Sequence, residues 1–431
     1  MFEGRRRRFL DALGPGAVAI LLGARPRVRS ADTTYPFRQD SDFHYLTGFD
    51  HPNAAAVFRT DGGPPFTLFV EPREREAEIW TGYRPGVEGA LRDYGADAAF
   101  PISELRESIP RLLEKAERLY HVLGRDPEID RLIAESLDTM RLRSRQGLVP
   151  PEVVADPRAI LHEMRLFKEP EELAILRRAA AITQEAHEEA ARLAQPGRFE
   201  YELEAVLDYT FRRRGAAGPA YESIVGGGSN ATVLHYVANR DALRAGEMVL
   251  IDAGCELEGY ASDVTRTYPV GGRFGGPHRA VYEVVLAAQE AALAQARPGA
   301  TLDAIHDAAV RSLAEGCVEI GLLRGATEDL LESRALAPYY MHRTSHWLGL
   351  DVHDVGAYVR RGSPRPLAPG MVFTVEPGLY IAAGDEKAPP EFRGIGVRIE
   401  DDVVVTEDGI ENLTAAIPKR PEEVEALVRG G

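Results

Sequence analysis

Four carboxylates interrupt the most apolar stretches of this chain, and their placement narrows what it can fold into. Asp252 follows Met248-Val-Leu-Ile, and Asp263 precedes Val264-Thr-Arg-Thr. Glu376 lies between Thr374-Val375 and Pro377-Gly378, and Glu400 stands in Val397-Arg-Ile-Glu-Asp-Asp-Val-Val-Val405. Runs rich in Val, Ile and Thr read as strands. Taken singly, either aspartate is more simply a strand end in solvent, because Asp is seldom buried without a partner. Four acids on four apolar strands need another account. Buried charges must be paired or bound to a cation, so the pattern predicts strands converging on a divalent-metal site.

Met248–Leu257 and Tyr260–Val270 flank Gly259 as two predicted strands. Asp252 lies seven residues before Gly259 and Asp263 four after it, and antiparallel pairing about that turn is expected to make them cross-strand neighbours. Two facing carboxylates in a sheet interior repel strongly. Gly396–Val405 carries Arg398 and Glu400 two positions apart and so on one face. The histidines cluster too. His342, His346 and His353 fall within 341–354, and His235 precedes the first strand pair. The His342/His346 spacing alone is a weak zinc cue. The zinc-protease helix motif needs a glutamate after its first histidine, and Arg343 is there instead.

The second half of the chain repeats itself. Ala194-Gln-Pro-Gly197 and the helical Tyr201–Phe211 recur as Ala296-Arg-Pro-Gly299 and Leu302–Leu313. Gly246, Asp252 and Gly254 share their spacing with Gly370, Glu376 and Gly378. This predicts two similar helix–helix–strand halves around one central sheet, each giving acids to the centre. A long helix from Pro170 to about Ala194 precedes them. The first third alternates short strands with amphipathic stretches: a hairpin of Ala54–Phe58 and Phe66–Val70, and helices over Ile102–Ala116 and Ile129–Met140. It reads as a separate α/β domain over 1–165, with the duplicated domain over 166–431. At the N-terminus, Asp11 and Gly14-Pro15-Gly16 interrupt what would be the apolar region of a signal sequence. Arg5 to Arg8 therefore read as part of a basic-faced helix, followed by a buried strand, Ala17–Leu22.

The formal net charge of -16 argues against a nucleic-acid or anionic-membrane surface. No apolar run reaches 18 residues, so no transmembrane helix is expected. Two cysteines, Cys255 and Cys317, give no disulfide framework and fit a reduced cytoplasm.

In sequence order, Ile224-Val-Gly, Leu234-His235-Tyr236, Leu250-Ile-Asp252-Ala-Gly, Ser262-Asp263-Val-Thr-Arg-Thr, Ser345-His346-Trp-Leu-Gly-Leu-Asp-Val-His353-Asp-Val-Gly, Thr374-Val-Glu376-Pro-Gly-Leu-Tyr380 and Gly394-Ile-Gly-Val-Arg398-Ile-Glu400-Asp-Asp resemble the Xaa-Pro aminopeptidase (aminopeptidase P) family of pita-bread metallopeptidases. Tyr35-Pro-Phe-Arg-Gln39 and Ser41-Asp42-Phe43 with Thr47-Gly48 extend the resemblance to the N-terminal third, so it covers essentially the whole chain. It implies an α+β protein: an N-terminal α/β domain, then a pita-bread catalytic domain with internal pseudo-twofold duplication.

The resemblance also implies five metal ligands. Asp263 and Glu400 bridge two ions, Asp252 completes one, and His346 with Glu376 completes the other. Four carboxylates balance two divalent cations, and so oxygen-rich a set suits Mn²⁺ before Zn²⁺ or Co²⁺. Two ions about 3.5–4 Å apart activate a shared water or hydroxide for attack on a carbonyl. Glu376 is implied as proton shuttle, with His235 and His353 bonding substrate and tetrahedral intermediate, and Arg398 steadying Glu400 or the substrate. His342, Tyr358 and Tyr380 are implied near the substrate, the first two beside the proline pocket. Asp42, Trp80 and Arg158 match N-terminal-domain positions that approach the active site in relatives, Asp42 from a neighbouring subunit. The implied activity is removal of an N-terminal residue preceding proline, by a cytoplasmic homo-oligomer, dimer or tetramer. Prolidase, which splits only Xaa-Pro dipeptides, is the alternative.

Overall fold

The computed structural model describes residues 1–430, which divide into two compact units that part after Met164. The N-terminal unit is built on a six-stranded sheet. Its order is Ala98–Pro101, Phe66–Val70, Ala55–Arg59, Ala17–Leu22, Arg118–His121 and Val153–Ala155. The expected hairpin forms, with Ala55–Arg59 and Phe66–Val70 antiparallel, and Ala17–Leu22 is a buried strand as its apolar run requires. Ile102–Ala116 is helical over Leu105–Leu113 after a short 3₁₀ turn, and Ile129–Met140 lies within Pro127–Leu142. The N-terminal helix, Phe2–Leu13, departs from the expected basic face. Arg5 is fully buried with its guanidinium 4.1 Å from the Tyr45 ring centre, and Arg6 lies 4.5 Å from that of Phe66. Cation–π stacking lets these two arginines turn inward.

The C-terminal unit shows its duplication in backbone detail. Helices Pro170–Arg192 and Glu200–Arg213 open the first half; Gly276–Gln295 and Leu302–Glu319 open the second. Gly197 has φ 87° and donates to the Leu243 carbonyl at 2.9 Å, and Leu243 donates back to Arg198 at 2.7 Å. In the second half Gly299, φ 84°, donates to Leu367 at 2.8 Å, and Leu367 donates to Ala300 at 2.7 Å. Both turns need the left-handed backbone that glycine adopts without strain.

The strands, numbered within this unit, are β1 Ile224–Gly227, β2 Met248–Asp252, β3 Cys255–Leu257, β4 Tyr260–Ala261, β5 Thr265–Pro269, β6 Val372–Val375, β7 Gly378–Ile381, β8 Ile395–Arg398 and β9 Asp401–Val405. The expected single sheet is instead a set of short ladders. In the first half β2 pairs β5 and β3 pairs β4; in the second β6 pairs β9 and β7 pairs β8, all antiparallel. Each expected long strand is therefore broken, and every break falls at an acid. Asp252 ends β2, Asp263 lies between β4 and β5, Glu376 between β6 and β7, and Glu400 between β8 and β9. The register set at the turn, Leu257 opposite Tyr260, runs on to put Asp252 opposite Thr265 and not opposite Asp263 as expected. The break brings chains very close: a methyl on Gly254 would lie 1.8 Å from the Ser262 carbonyl oxygen. Behind the second-half ladders lies a core including Trp347, Phe373, Val375, Val403 and Val405.

A buried ionic knot ties the two halves together. Asp401 accepts hydrogen bonds from Arg266 (2.7 Å), Lys419 (2.5 Å), Gln289 (2.7 Å), Asn412 (2.8 Å) and Thr414 (3.0 Å). The Arg266 and Asp401 side chains are both 0 % exposed. Burial opposes the Asp401 charge, but Arg266 and Lys419 outweigh it and hold the carboxyl below its ordinary range. Its stabilisation is complete above the unfolded-chain carboxylate range and is lost as pH falls through the depressed folded value. Asp401→Ala leaves Arg266 buried and uncompensated, and should cost about 3–5 kcal/mol. Denaturant unfolding at neutral pH measures this; a loss below 1 kcal/mol, on the scale of a surface pair, would contradict it.

Candidate metal centre and active site

The strand breaks aim the acids at one another. Asp263, His346 and Glu400 each offer a ligand atom, all within 4.8 Å of one another. His346 Nε2 lies 3.3 Å from Asp263 Oδ2 and 3.5 Å from Glu376 Oε1. The Tyr221 hydroxyl joins the remaining acid to the group, 2.7 Å from Asp252 Oδ1 and 2.5 Å from Asp263 Oδ1. The five residues singled out as ligands thus form one cluster. Asp252, Asp263 and Glu400 are buried, while His346 and Glu376 are partly exposed on its open side.

Thr265 and Arg398 support the cluster from below. The Thr265 hydroxyl donates to Glu400 Oε2 at 2.6 Å and accepts from Arg398 Nε at 2.9 Å. Arg398 and Glu400 therefore face the same way, although the strand breaks between them. Arg398 Nη2 donates to Asp252 at 2.6 Å, so it steadies Asp252 directly and Glu400 only through Thr265. Its Nη1 donates to the Tyr380 hydroxyl at 2.9 Å, which lies 2.8 Å from His342 Nε2. His342 Nδ1 is 2.8 Å from the Arg343 carbonyl and must carry its hydrogen there. Nε2 is then the acceptor for Tyr380. Burial, reinforced by Arg398, pushes the His342 pKa down to about 4, as a neutral ring requires.

The electrostatics call for a cation. Burial lifts the Glu376 carboxyl to about 7 despite His346 and Arg398. Glu400 is raised well above its ordinary value by burial and then by Asp263 and Glu376. Burial, with Asp263 adding to it, also raises Asp252 against the pull of Arg398. Burial disfavours a charged His346, but its hydrogen bond to Asp263 and the Glu376 charge prevail and raise it to about 9. Tyr221 has one hydroxyl hydrogen for two carboxylates, so ionising both acids sets oxygen lone pairs against each other. His346 Nδ1 lies 3.0 Å from the Trp347 carbonyl, which leaves Nε2 to face the acids. Four carboxylates and one imidazole nitrogen so disposed are a hard donor set that fits divalent cations.

The other residues singled out lie around this cluster. His353 is exposed, with its ring 4.5 Å from that of His346 and edge-on to it. Both line a cavity of about 500 Å³ with Trp347, Tyr358, Arg343 and Arg365. Tyr358 stacks on the Trp347 indole at 5.4 Å, and its hydroxyl accepts from the Trp347 backbone N–H at 3.2 Å. His342 lines a second cavity with His306 and Tyr340, and Arg343 lines both. His235 is exposed and close enough for its charge to act on both His342 and His353. Asp42, Trp80 and Arg158 belong to the N-terminal unit. There Asp42 lies 3.3 Å from His162, Arg158 pairs with Asp156, and Trp80 is 88 % exposed.

Three contributors escaped the sequence reading. Thr265 shares the period-2 face of Asp263, a signal that was available. Asp402 accepts the Asp263 backbone N–H at 3.0 Å, and as the last of three successive acids it carried no mark of its own. Tyr221 lies in irregular chain before β1, where no periodicity marks it.

Comparison with known proteins agrees with this geometry. Residues 174–407 match the model of metallopeptidase family M24, and residues 2–120 match that of the aminopeptidase P N-terminal domain. Xaa-Pro aminopeptidase of Escherichia coli is 46% identical over 429 residues, covering 99% of this chain and 97% of that protein. This chain belongs to the Xaa-Pro aminopeptidase family. Aminopeptidase PepP of Pseudomonas aeruginosa superposes with a TM-score of 0.97 at 44% identity, covering 100% of this chain and 97% of that one. Zinc-substituted E. coli aminopeptidase P in complex with product gives 0.96 at 45% identity, covering 100% and 98%. The C-terminal unit accordingly has the pita-bread fold of a metallopeptidase, preceded by an aminopeptidase P N-terminal domain.

Raised carboxyl pKa values make metal uptake compete with protons. Loading metal at pH 7 should release protons, and affinity should fall as pH is lowered, because protonated acids must first be deprotonated. Calorimetry in buffers of different ionisation enthalpy reads the proton count; a buffer-independent heat would refute the coupling.

Proposed function

We propose that this protein removes the N-terminal residue from peptides whose second residue is proline. The observation that carries this reading is the convergence of Asp252, Asp263, His346, Glu376 and Glu400, with every donor type of the family's set intact. High identity to the E. coli Xaa-Pro aminopeptidase along nearly the whole of both chains supports it. We assign these five side chains as ligands for two divalent ions, Mn²⁺ before Zn²⁺ or Co²⁺ because oxygen donors dominate. The ions would supply a polarised water as nucleophile and Lewis-acid stabilisation of the oxyanion.

The remaining chemistry belongs to the chain. Glu376 takes a proton from the attacking water and returns it to the proline nitrogen as the C–N bond breaks. His235 and His353 donate to substrate and to the developing tetrahedral centre. Arg398 holds Asp252, which faces the substrate α-amine together with a metal. Proline brings a tertiary amide with no N–H to grip, so specificity falls to shape, and the Trp347–Tyr358 stack offers an apolar wall. His342 and Tyr380 fix the orientation of Arg398. Asp42, Trp80 and Arg158 are assigned as substrate contacts on the family resemblance. We further propose a cytoplasmic homo-oligomer, dimer or tetramer. In support, both cysteines are free and buried, and no helix among the described residues is long and apolar enough to cross a membrane.

Glu376→Gln should lower kcat by about 10²–10⁴-fold while leaving the fold intact; wild-type kcat refutes the shuttle. His353→Ala should lose about 10²-fold in kcat/KM with both metals retained. Collapse of metal occupancy would make that histidine a ligand. Turnover of Arg-Pro-Pro should proceed alongside or in preference to Ala-Pro; cleavage of the dipeptide alone would establish the prolidase reading.

A further inference from the structure

We infer that Glu200 is a positioning residue for His235, holding the segment that carries it from a fully buried site on the other side of the chain. The inference rests on the role given to His235 above.

Glu200 opens the helix Glu200–Arg213 and is 0 % exposed. Each of its oxygens accepts two hydrogen bonds. Oε1 takes the Gly227 N–H at 2.7 Å and the Asn230 amide at 2.9 Å. Oε2 takes the Tyr236 hydroxyl at 2.9 Å and the Asp241 N–H at 2.9 Å. Gly227 and Asp241 bracket the segment, Asn230 lies within it, and Tyr236 adjoins His235. Asn230 also reaches Tyr236 at 3.0 Å and Asp241 at 2.9 Å. One carboxylate therefore gathers both ends and the middle of the segment.

Apolar packing secures only one side of it. Leu234 and Tyr236 lie against Ile224, Ala231, Leu250 and Tyr380, whereas Val233, His235 and Val237 are exposed. This alternation puts the His235 ring on the exposed side. What fixes the register is the inward Tyr236, and its hydroxyl ends on Glu200.

All four partners act as donors, so the site demands an ionised carboxylate. Glutamine in its place presents an amide N–H₂ to one pair of them. The Tyr236 hydroxyl can rotate and accept, but a backbone N–H cannot. At least one end of the segment then loses its hydrogen bond.

The test is a double-mutant cycle on the metal-loaded enzyme, with Glu200→Gln, His235→Ala and the pair assayed on a proline-containing tripeptide. Glu200→Gln should lower kcat/KM about tenfold, the loss of one well-aimed hydrogen bond, with metal content unchanged. In the His235→Ala background it should have no further effect. A merely structural role predicts losses that multiply, and that result overturns the inference. Tyr236→Phe, which removes one donor and keeps the ring, stands in if Glu200→Gln folds poorly, with the same expected loss and the same dependence on His235. A slow His235→Ala beside an unimpaired Glu200→Gln and Tyr236→Phe sinks the positioning role alone. Wild-type turnover by His235→Ala sinks the role of that histidine, and the positioning role with it.

Discussion

Mutual repulsion of buried carboxylates is the force around which the C-terminal unit is arranged. Asp252, Asp263, Glu376 and Glu400 converge where water is largely excluded, and the raised proton affinities of Asp252, Glu376 and Glu400 register the cost. A regular sheet could not bring four acids to one point, because side chains along a strand alternate and cross-strand pairs meet only two at a time. Breaking the ladder at each acid solves this. The ladder opens at the break while its register carries on beyond it, Asp252 opposite Thr265 and then Glu256 opposite Ala261, Val375 opposite Asp401 and then Gly378 opposite Arg398, and the acids lie in the opening. Gly254, with no room for a Cβ, marks how tightly the chains cross there.

Containing that charge shapes the surroundings. Arg398 compensates Asp252 and is itself held by Thr265 and Tyr380. Asp401, next to Glu400, is neutralised by Arg266 and Lys419 on the far side of the strand, and Arg266 also grips the Glu400 carbonyl at 2.5 Å. Beside His353, Asp354 is buried against Arg165 and Lys168. Ionic knots thus pin the frames of Glu400 and His353, as Glu200 pins that of His235. Precision is supplied from behind, leaving the open side of the cluster free for cations and substrate.

Much of this could be read from the chain. Acids in apolar runs marked the centre because a buried unpaired charge is too costly to be incidental. The duplication was legible because the Pro-Gly and pre-strand glycines recur in one order, and those turns require a backbone few other residues adopt. Other features depended on contacts that periodicity does not encode. Tyr221 reaches Asp252 and Asp263 from an irregular segment. Arg5 and Arg6 looked like a solvated face until Tyr45 and Phe66 were seen beneath them.

Local sequence determined the residue types of the centre, the helix–helix–strand order of each half, and the buried strand and hairpin of the N-terminal unit. These follow from short-range propensity and burial, which act within a few residues. Tertiary structure alone decided that the acids of the two halves meet at the breaks, and that Arg398 steadies Asp252. It also decided that His235 is held from Glu200. Each of these joins segments distant in the chain, and only the balance of charge and hydrogen bonding in the assembled interior selects them.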